Sequence, residues 1–446
     1  MELMERGGGG CKRKRDDAAK SAVMASSSPS TPNNYDIVTV TQWLHSWSSG
    51  AIDNGMNSTA TAVTNNVLPL IDLRSYEQFN HNHLHTDDAT PIIVNLPLET
   101  LLSGERSCEL PPRHVEFAIL VPSTCTDAFV SRNSECSIHK LFFASKSSAT
   151  QQSRKPWLVR QVILENEDLW NAVGLLNNIE CSNSGGKSSE LSFRPLPRLW
   201  KPDPLVSSGL LPILKEWISN TYDNCQHSPH IVFDLGSGAG RDVCYLAEET
   251  KAFYHNSILQ QQAKEQNIHQ FPLHFVGVDN HKGSARRCEP LWRNRSIDDI
   301  TTSHLLNLNK LDLVNDCFTN TSFIKQTAEH DKSTSTVLCI YAIRFLNRKL
   351  LSFIANSTSG DNEGTSSLCL PTGTIIAISH FCKPTKTAEW NFDHPKVSNV
   401  LDRDELSTLF GSKNNDVERW TILKDGICYD GDHGRTLIQF IARKIA

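Results

Sequence analysis

The sequence predicts an α/β protein whose larger part is a Rossmann-like sheet that ends in an antiparallel hairpin. Three observations predict this fold. Residues 231–235 form an apolar run that ends at a glycine-rich turn, and a helical pattern follows the turn. A second apolar run, 274–279, also ends in an acid. Near the carboxyl terminus, two apolar segments flank a Gly/Asp loop at 430–434, which is a hairpin signal.

Length and composition indicate a folded chain with two or three domains. The 446 residues are 39% hydrophobic and 21% charged, as in ordinary globular proteins. The net charge of −5 offers no broad basic surface for non-specific nucleic-acid binding. The 13 cysteines include no CxxC pair, so we expect reduced, buried thiols and neither a metal site nor a disulfide framework. No apolar stretch reaches membrane-spanning length, so no membrane partner is expected.

The first 33 residues have the composition of a disordered tail. They contain a glycine run, a Ser/Pro stretch and the basic run Lys12–Arg15. The basic run has two interpretations that the sequence leaves open, a nuclear localisation signal or a solvated charged tail. The tail has no apolar signal-peptide core, so we expect a cytoplasmic or nuclear protein.

Residues 35–178 are expected to form the first domain, a smaller α/β unit. An apolar strand ends in Asp72-x-Arg74, and Phe79, His83-Leu84 and Asn95-Leu96-Pro97 follow in that order. These residues resemble a rhodanese-like domain, and the resemblance covers roughly residues 35–175. It implies a cysteine directly after the next strand if the domain transfers sulfur.

The position of that catalytic cysteine is occupied by other residues. The strand at 117–121 is followed by Pro122 and Ser123, and Cys125 comes later, beside Asp127. A neighbouring carboxylate raises the pKa of a thiol and so disfavours the reactive thiolate. The sequence therefore favours a non-catalytic domain that docks a protein partner. A sulfurtransferase acting through Cys125 is the alternative.

Residues 179–204 are predicted to be a linker, and the larger α/β domain is expected over 205–446. The linker is polar at first and then proline-rich from Arg194 to Pro204, which makes it extended and stiff. Leu205 to Ile218 has the pattern of an amphipathic helix, which would cap the sheet or close over a ligand.

The glycine-rich turn carries the strongest motif. The dinucleotide fingerprint requires a third glycine where this chain has Arg241. The pattern acid-x-Gly-x-Gly-x-Gly instead resembles the first motif of class I S-adenosylmethionine-dependent methyltransferases, and Gly-x-Gly-Arg-Asp resembles their tellurite-resistance-like branch. The resemblance implies S-adenosylmethionine as cofactor, and it assigns the turn to the cofactor's methionine part through Asp234, Gly236, Ser237, Gly238 and Gly240.

Two further segments match cofactor positions of that family. Asp279 ends the second apolar run and would accept hydrogen bonds from both ribose hydroxyls, with Asn280 beside it. It lies 39 residues after Gly240 rather than the usual ~20, because the polar stretch 254–271 is inserted. The pair Asp312-Leu313 is expected against adenine, with Asp316, Asn315 or a plain surface loop as alternatives.

The strands at 335–340 and 374–379 place the candidate catalytic residues Tyr341, Arg344 and His380 at their carboxyl ends, where ligands bind in such sheets. His380 is a candidate proton acceptor, and a structural histidine is the favoured alternative. The chain has no Asp or Asn there before Asn347, which weighs against an amine acceptor. Residues 390–398 are a candidate substrate flap.

The predicted function is methyl transfer from S-adenosylmethionine to an unidentified small-molecule acceptor, which Arg344 suggests is anionic. A sulfurtransferase and a non-enzymatic cofactor-binding or scaffold protein are the alternatives. RNA stays open as an acceptor.

Overall fold

The computed structural model describes thirteen stretches of the chain: 36–38, 42, 68–81, 92–131, 136–143, 156–166, 195–221, 229–259, 271–319, 336–358, 368–411, 418–429 and 434–445. Five predictions fall outside the described residues: those on the amino-terminal tail, on His83-Leu84, on the end of the first domain, on the polar part of the linker and on most of the hairpin loop. Residues 35–446 form one compact unit. In the described part of the chain, no helix is long and apolar enough to cross a membrane.

The amino-terminal part is built on a five-stranded sheet in which every pairing is parallel, with strand order β1-β5-β4-β2-β3. A fully covered parallel sheet needs apolar side chains on both faces, and residues 117–121 of β4 are a continuous, buried Phe-Ala-Ile-Leu-Val run. The sheet is part of a small α/β arrangement. Its elements are β1 (Asp36–Val38), β2 (Leu70–Asp72), α1 (Tyr76–His81), β3 (Ile93–Asn95), α2 (Leu98–Leu102), a 3₁₀ turn (Ser107–Glu109), β4 (Glu116–Val121), α3 (Ser123–Val130), a π-helical turn (His139–Phe143) and β5 (Leu158–Leu164).

The carboxyl-terminal part is a seven-stranded sheet with the order β11-β12-β10-β9-β6-β7-β8. Its elements are a π-helical turn (Leu205–Leu210), α4 (Leu211–Thr221), β6 (His230–Leu235), α5 (Arg241–Phe253), a second π-helical turn (Tyr254–Leu259), β7 (Leu273–Asp279), α6 (Lys282–Asn294), β8 (Thr301–Leu305), α7 (Leu311–Thr319), β9 (Val337–Ile343), α8 (Arg348–Ala355), β10 (Ile375–Phe381), a 3₁₀ turn (Val397–Asn399), α9 (Glu405–Gly411), β11 (Trp420–Tyr429) and β12 (Thr436–Lys444).

The strand order confirms the predicted Rossmann-like sheet and its terminal hairpin. β12 pairs antiparallel with β10 on one side and with β11 on the other. β6 has β7 on one side and β9 on the other, both parallel. The chain order therefore reverses at β6, and the crevice at its carboxyl end is the place where open α/β sheets bind ligands. The glycine turn lies at that point.

Two elements differ from the sequence prediction. The predicted helix over Leu205–Ile218 begins with a π-helical turn, and α4 starts only at Leu211. The strand expected within 305–313 lies earlier, at Thr301–Leu305, and residues 311–313 already belong to α7. The polar Thr-Thr-Ser start of β8 gives no apolar run, which is why the pattern failed to place this strand.

Two cores cover the two faces of the larger sheet. Side chains alternate along a strand, so Ile231 and Phe233 join one core and Val232 joins the other. The described end of the linker packs against both parts of the unit, because Leu199 enters the amino-terminal core and Trp200 enters the second core of the larger sheet.

Candidate functional site

The turn after β6 needs its glycines because the backbone is left-handed at all three. Gly236, Gly238 and Gly240 have φ angles of 78°, 57° and 69°, a region that costs other residues roughly 1–2 kcal/mol. A Cβ on Gly240 would lie 2.8 Å from Cys288 Sγ and 2.9 Å from the Trp292 ring. The third glycine therefore lets helix α6 pack directly beneath the turn.

The first two glycines differ in what lies above them. A Cβ on Gly236 would lie 2.7 Å from the side chain of Phe345, which follows β9 and covers this glycine. A Cβ on Gly238 would meet only the Gly236 carbonyl oxygen, at 3.9 Å. The turn is thus open to a ligand at Gly238, with an aromatic wall on one side. Sequence reasoning did not select Phe345, although an aromatic residue just beyond a central strand was a usable signal.

Asp279 folds back onto the glycine turn. Its Oδ2 accepts a hydrogen bond from the Gly238 amide at 2.9 Å, and its Oδ1 accepts one from the His281 amide at 2.8 Å. A carboxylate has about four acceptor positions, so two stay available for donors of a ligand. Asn280, predicted beside it, is exposed. The Ser237 hydroxyl instead lies against Gly277 on β7, 3.0 Å from where a Cβ of that glycine would be.

Asp234 and Tyr341 face each other across β6 and β9, and both are buried. Burial raises the pKa of Asp234, and the negative charges of Asp242 and Asp279 raise it further. The Tyr341 hydroxyl lies near this carboxyl without hydrogen-bond geometry, and it has no partner among the residues that the structure describes. Tyr341 is therefore an orphaned donor beside a buried acid.

Two further acids complete the cluster. Asp242, in the first turn of α5, has its pKa raised to about 6, first by burial and then by the charge of Asp203. Asp203 comes from the proline-rich segment, and its backbone amide donates to Asp242 Oδ1 at 3.1 Å. Its own Oδ2 accepts a hydrogen bond from Ser379 Oγ at 3.1 Å. Sequence analysis missed Asp203, because nothing in a linker's composition reveals that one of its residues enters a site.

Arg344 lies at the carboxyl end of β9, as predicted. Its φ of 55° is left-handed although it is not glycine, and its amide donates to the Ser379 carbonyl at 2.7 Å. Its guanidinium carbon lies 5.8 Å from the centre of the Phe381 ring, and that of Arg435 lies 4.6 Å from the same ring. Non-glycine residues held in this region concentrate at functional sites. Arg435 was not selected from the sequence.

His380 does not join this cluster. It lies on the face of β10 that carries Ile376 and Ile378, which is the opposite face of the sheet from Asp234. Its Nε2 lies 2.8 Å from the Asn399 carbonyl oxygen, and burial lowers its pKa. The interpretation of His380 as a catalytic proton acceptor is therefore replaced by a packing role beneath the 397–399 turn.

The predicted adenine pair lies away from the end of its strand. Asp312 and Leu313 are exposed in the first turn of α7. Asn307 instead follows β8 directly, where its Oδ1 accepts a hydrogen bond from the Asn309 amide. The Asn347 amide group secures the same loop by donating to the Leu308 carbonyl at 2.9 Å. Residues 306–308, and not 312–313, thus follow the end of this strand, and the contact of Asp312 and Leu313 with adenine stays a prediction.

In the amino-terminal sheet, the motif residues form a buried ionic group. Arg74 donates to Asp72 Oδ2 at 2.6 Å and to Glu165 Oε1 at 3.2 Å. Helix α3 begins directly after Pro122, and its Ser123 amide donates to Glu165 Oε2 at 2.9 Å. The amino terminus of this helix thus already holds a carboxylate.

The described cysteines and acids provide no metal site or disulfide. The ten cysteines that the structure describes are all free thiols. Over the same residues, no group of three or more His, Cys, Asp and Glu side chains is placed to hold a metal ion.

No protein-family model matches the chain, and neither does any curated protein. Among solved structures, TehB from Haemophilus influenzae is 14% identical, with 52% of this chain and 67% of that chain covered and a TM-score of 0.27. A geranyl diphosphate C-methyltransferase from Streptomyces coelicolor A3(2), solved with S-adenosyl-L-homocysteine, is 12% identical over 52% and 77%, with a TM-score of 0.29. SpnF, a [4+2]-cyclase, is 9% identical over 54% and 82%, also at 0.29. Scores this low carry no weight, and the fold rests on the strand order.

Proposed function

We propose that the seven-stranded sheet binds S-adenosylmethionine at the glycine turn and that the protein transfers its methyl group to an acceptor. The observation that carries the proposal is Asp279, which ends the strand next to β6 and hydrogen-bonds to the Gly238 amide. This contact brings a carboxylate with free acceptor positions to the open part of a left-handed turn. A nucleoside whose ribose lies on Asp279 would extend from there along the turn toward β9.

The charges of the site fit this cofactor. S-adenosylmethionine carries a sulfonium and an ammonium group against one carboxylate, so it brings net positive charge. Asp234 and Asp242 both have raised pKa values, first because both are buried and then because neighbouring carboxylates repel their charged forms. A cationic ligand would relieve that repulsion. The amino group is the part of the cofactor that these two acids and the orphaned Tyr341 hydroxyl would hold.

The side chains near the turn suit an acceptor that arrives already deprotonated. The bound cofactor supplies an electrophilic methyl group, so orientation does most of the catalytic work. A general base would be needed only for a protonated acceptor. His380 is held by a backbone carbonyl, and Tyr341 is buried with its pKa raised by burial and by Asp234. Neither is arranged to remove a proton from an acceptor.

Arg344 and Arg435 define the side on which the acceptor would bind. Both guanidinium groups lie over Phe381, and Trp390 contacts the same ring edge to face at 6.1 Å. Phe392 extends this wall outward with its ring partly exposed. Stacked guanidinium groups present fixed donors to an oxyanion, and the aromatic residues suit an apolar body. We therefore infer an anionic small-molecule acceptor, bound between Arg344 and the segment 390–398.

Calorimetry with S-adenosylmethionine and S-adenosylhomocysteine tests the cofactor. We expect binding to the full chain and a loss of about tenfold or more in Asp279→Asn, since one hydrogen bond to a charged group contributes ~1.5–3 kcal/mol. Asp298→Asn, an exposed acid in the same part of the fold, is the matched control. Asn307→Ala should weaken binding more than Asp312→Ala. Absence of binding to the wild type, or an unchanged affinity in Asp279→Asn, would contradict the proposal.

A methyl-transfer screen with radiolabelled cofactor tests the acceptor. The screen tests four classes of acceptor: small oxyanions, carboxylates, thiols and total RNA. For an anionic small molecule, Arg344→Ala and Arg435→Ala should raise the acceptor KM at least tenfold and leave cofactor affinity unchanged. Labelling of RNA alone would replace the small-molecule acceptor with RNA. Cofactor binding without any transfer would favour a non-enzymatic binding protein.

We further infer that the amino-terminal sheet is a rhodanese-like, non-catalytic domain that serves for protein docking. Support comes from Glu165, whose carboxylate takes the Ser123 amide that a sulfur anion would need. Thiosulfate assays should show no sulfur transfer in either the wild type or Cys125→Ala. Activity that disappears in Cys125→Ala would establish the sulfurtransferase instead. Alanine substitution of Lys12–Arg15 in a fluorescent fusion decides between cytoplasm and nucleus.

A further inference from the structure

Arg241 connects the glycine turn to the amino-terminal part of the molecule. It is the first residue of α5, immediately after Gly240. Its Nε donates to the Cys108 carbonyl and its Nη2 to the Leu110 carbonyl, both at 2.8 Å. Those two carbonyls belong to the 3₁₀ turn and its exit between α2 and β4. One planar guanidinium group therefore joins the turn that we assign to the cofactor to a loop of the other sheet.

The contact is made in a largely dry environment. Cys108 and Leu110 are buried, and burial lowers the pKa of the Arg241 guanidinium. A desolvated cation is costly unless its donors are used. Two carbonyl oxygens separated by one residue match the fork of arginine, whereas a lysine ammonium presents a single point charge. The site is specific for the shape of an arginine.

Buried ion pairs hold the same loop on the larger sheet. Glu109, within the 3₁₀ turn, is paired with Arg106 at 2.6 Å and lies 3.7 Å from Arg295, after the end of α6. Arg295 also contacts Glu248 of α5 at 3.0 Å. The guanidinium carbons of Arg198, Arg241 and Arg295 surround the buried Trp200 ring at about 6 Å. The loop is thus fixed to both helices that pack against the glycine turn.

On its other side, the loop is fixed to the carboxyl edge of the amino-terminal sheet. Arg106 donates to the Asn95 carbonyl at 3.0 Å and to the Tyr76 hydroxyl at 2.7 Å. The Asn95 amide group in turn donates to the Arg74 carbonyl at 2.9 Å. Hydrogen bonds and the covalent backbone of residues 106–110 therefore connect the carboxyl edge of the amino-terminal sheet to the glycine turn of the larger sheet.

We propose that Arg241 is a positioning residue, through which the amino-terminal sheet sets the geometry of the glycine turn and with it the affinity for the cofactor. The effect on cofactor affinity rests on the proposed function, whereas the effect on the geometry of the turn does not. A change at the edge of the amino-terminal sheet, such as a docked partner, would reach the turn through the 106–110 loop. The rhodanese-like domain then serves as a control element of the methyltransferase.

The test measures cofactor affinity and amide hydrogen exchange in the full chain. The amides to follow are those of Gly238 and Gly240, which donate to Asp279 and to the Ser237 carbonyl. In Arg241→Lys we expect both amides to exchange about tenfold faster and S-adenosylmethionine to bind about tenfold more weakly. Glu109→Gln should give a smaller change of the same sign. Its effect should shrink in the Arg241→Lys background, because the two residues act on one turn.

Arg160→Ala is the matched control, since this arginine forms an exposed pair with Glu116 on the same sheet. It should change neither readout. The proposal would be overturned if Arg241→Lys and Arg241→Ala both kept the exchange rates of the turn amides and the cofactor affinity within twofold of the wild type. Uniformly faster exchange over the whole chain would also overturn it, because that result shows a general loss of stability. If the wild type fails to bind the cofactor, the proposed function fails, and the exchange measurement still decides the positioning role.

Discussion

The Asp242→Asn substitution separates the stability of the acidic cluster from its proposed role. The pKa of Asp242 is raised from 3.8 to about 6, so between these values the folded state binds more protons than the unfolded state. Wild-type stability therefore falls as pH rises through this window. A difference of about 2 units corresponds to at most ~3 kcal/mol. Since the side chain keeps some solvent contact, we expect ionised Asp242 to lower the free energy of unfolding by about 1–3 kcal/mol above pH 6.

Asparagine keeps the Oδ1 acceptor for the Asp203 amide and carries no charge. Thermal unfolding should therefore show the variant about 1–4 °C more stable than the wild type at pH 8, with the difference disappearing near pH 4. Calorimetry at pH 8 should show about 10–100-fold weaker cofactor binding, because a cation loses one carboxylate partner. A variant that is equally stable or less stable at pH 8, or that has the same pH profile as the wild type, would refute the electrostatic reasoning.

Two further predictions concern packing and buried charge. In chemical denaturation, Gly240→Ala should lower the free energy of unfolding by about 1–3 kcal/mol more than Gly373→Ala does. Both glycines have positive φ, but only at Gly240 would the new Cβ overlap a thiol and an indole ring, those of Cys288 and Trp292. Equal costs would contradict the packing argument. Arg74→Ala should destabilise by ~3–5 kcal/mol because it leaves Asp72 buried without its guanidinium partner, whereas the exposed Arg160→Ala should leave the stability nearly unchanged. Similar losses in these two variants would refute the role of burial.

Much of the larger sheet could be predicted because its signals are local. The apolar runs at β6 and β7 end in Asp234 and Asp279, and the glycine pattern between them is continuous in sequence. Positive φ angles at the three glycines follow from the same pattern. The hairpin was visible from two apolar segments with a turn between them. In each case, one short stretch contained all the residues that determine the structure.

The remaining features of the site depend on contacts between distant stretches. Asp203 reaches the cluster from a segment whose composition only indicates a stiff linker. Phe345 lies over Gly236 because β9 pairs with β6. The sequence of a strand does not show which other strand it will pair with. For His380 the sequence left a catalytic and a structural role open, because a strand-end position does not tell which face the ring occupies. For Asp203 and Phe345 it indicated no position in the site.

The acidic cluster and the Arg241 contact act on the same helix start. Asp242 carries a raised pKa from burial and from Asp203, and its neighbour Arg241 lowers that pKa only partly because its donors are directed at carbonyl oxygens. A displacement of the 106–110 loop would free the guanidinium group to turn toward Asp242. The cluster would then be neutralised from within, and a cationic ligand would lose the excess negative charge that attracts it. Loss of the contact would therefore weaken cofactor binding through charge as well as through turn geometry. Raising the ionic strength should reduce only the charge contribution to this loss of affinity. The contribution from turn geometry should stay, because salt screens charges and does not change the shape of the turn.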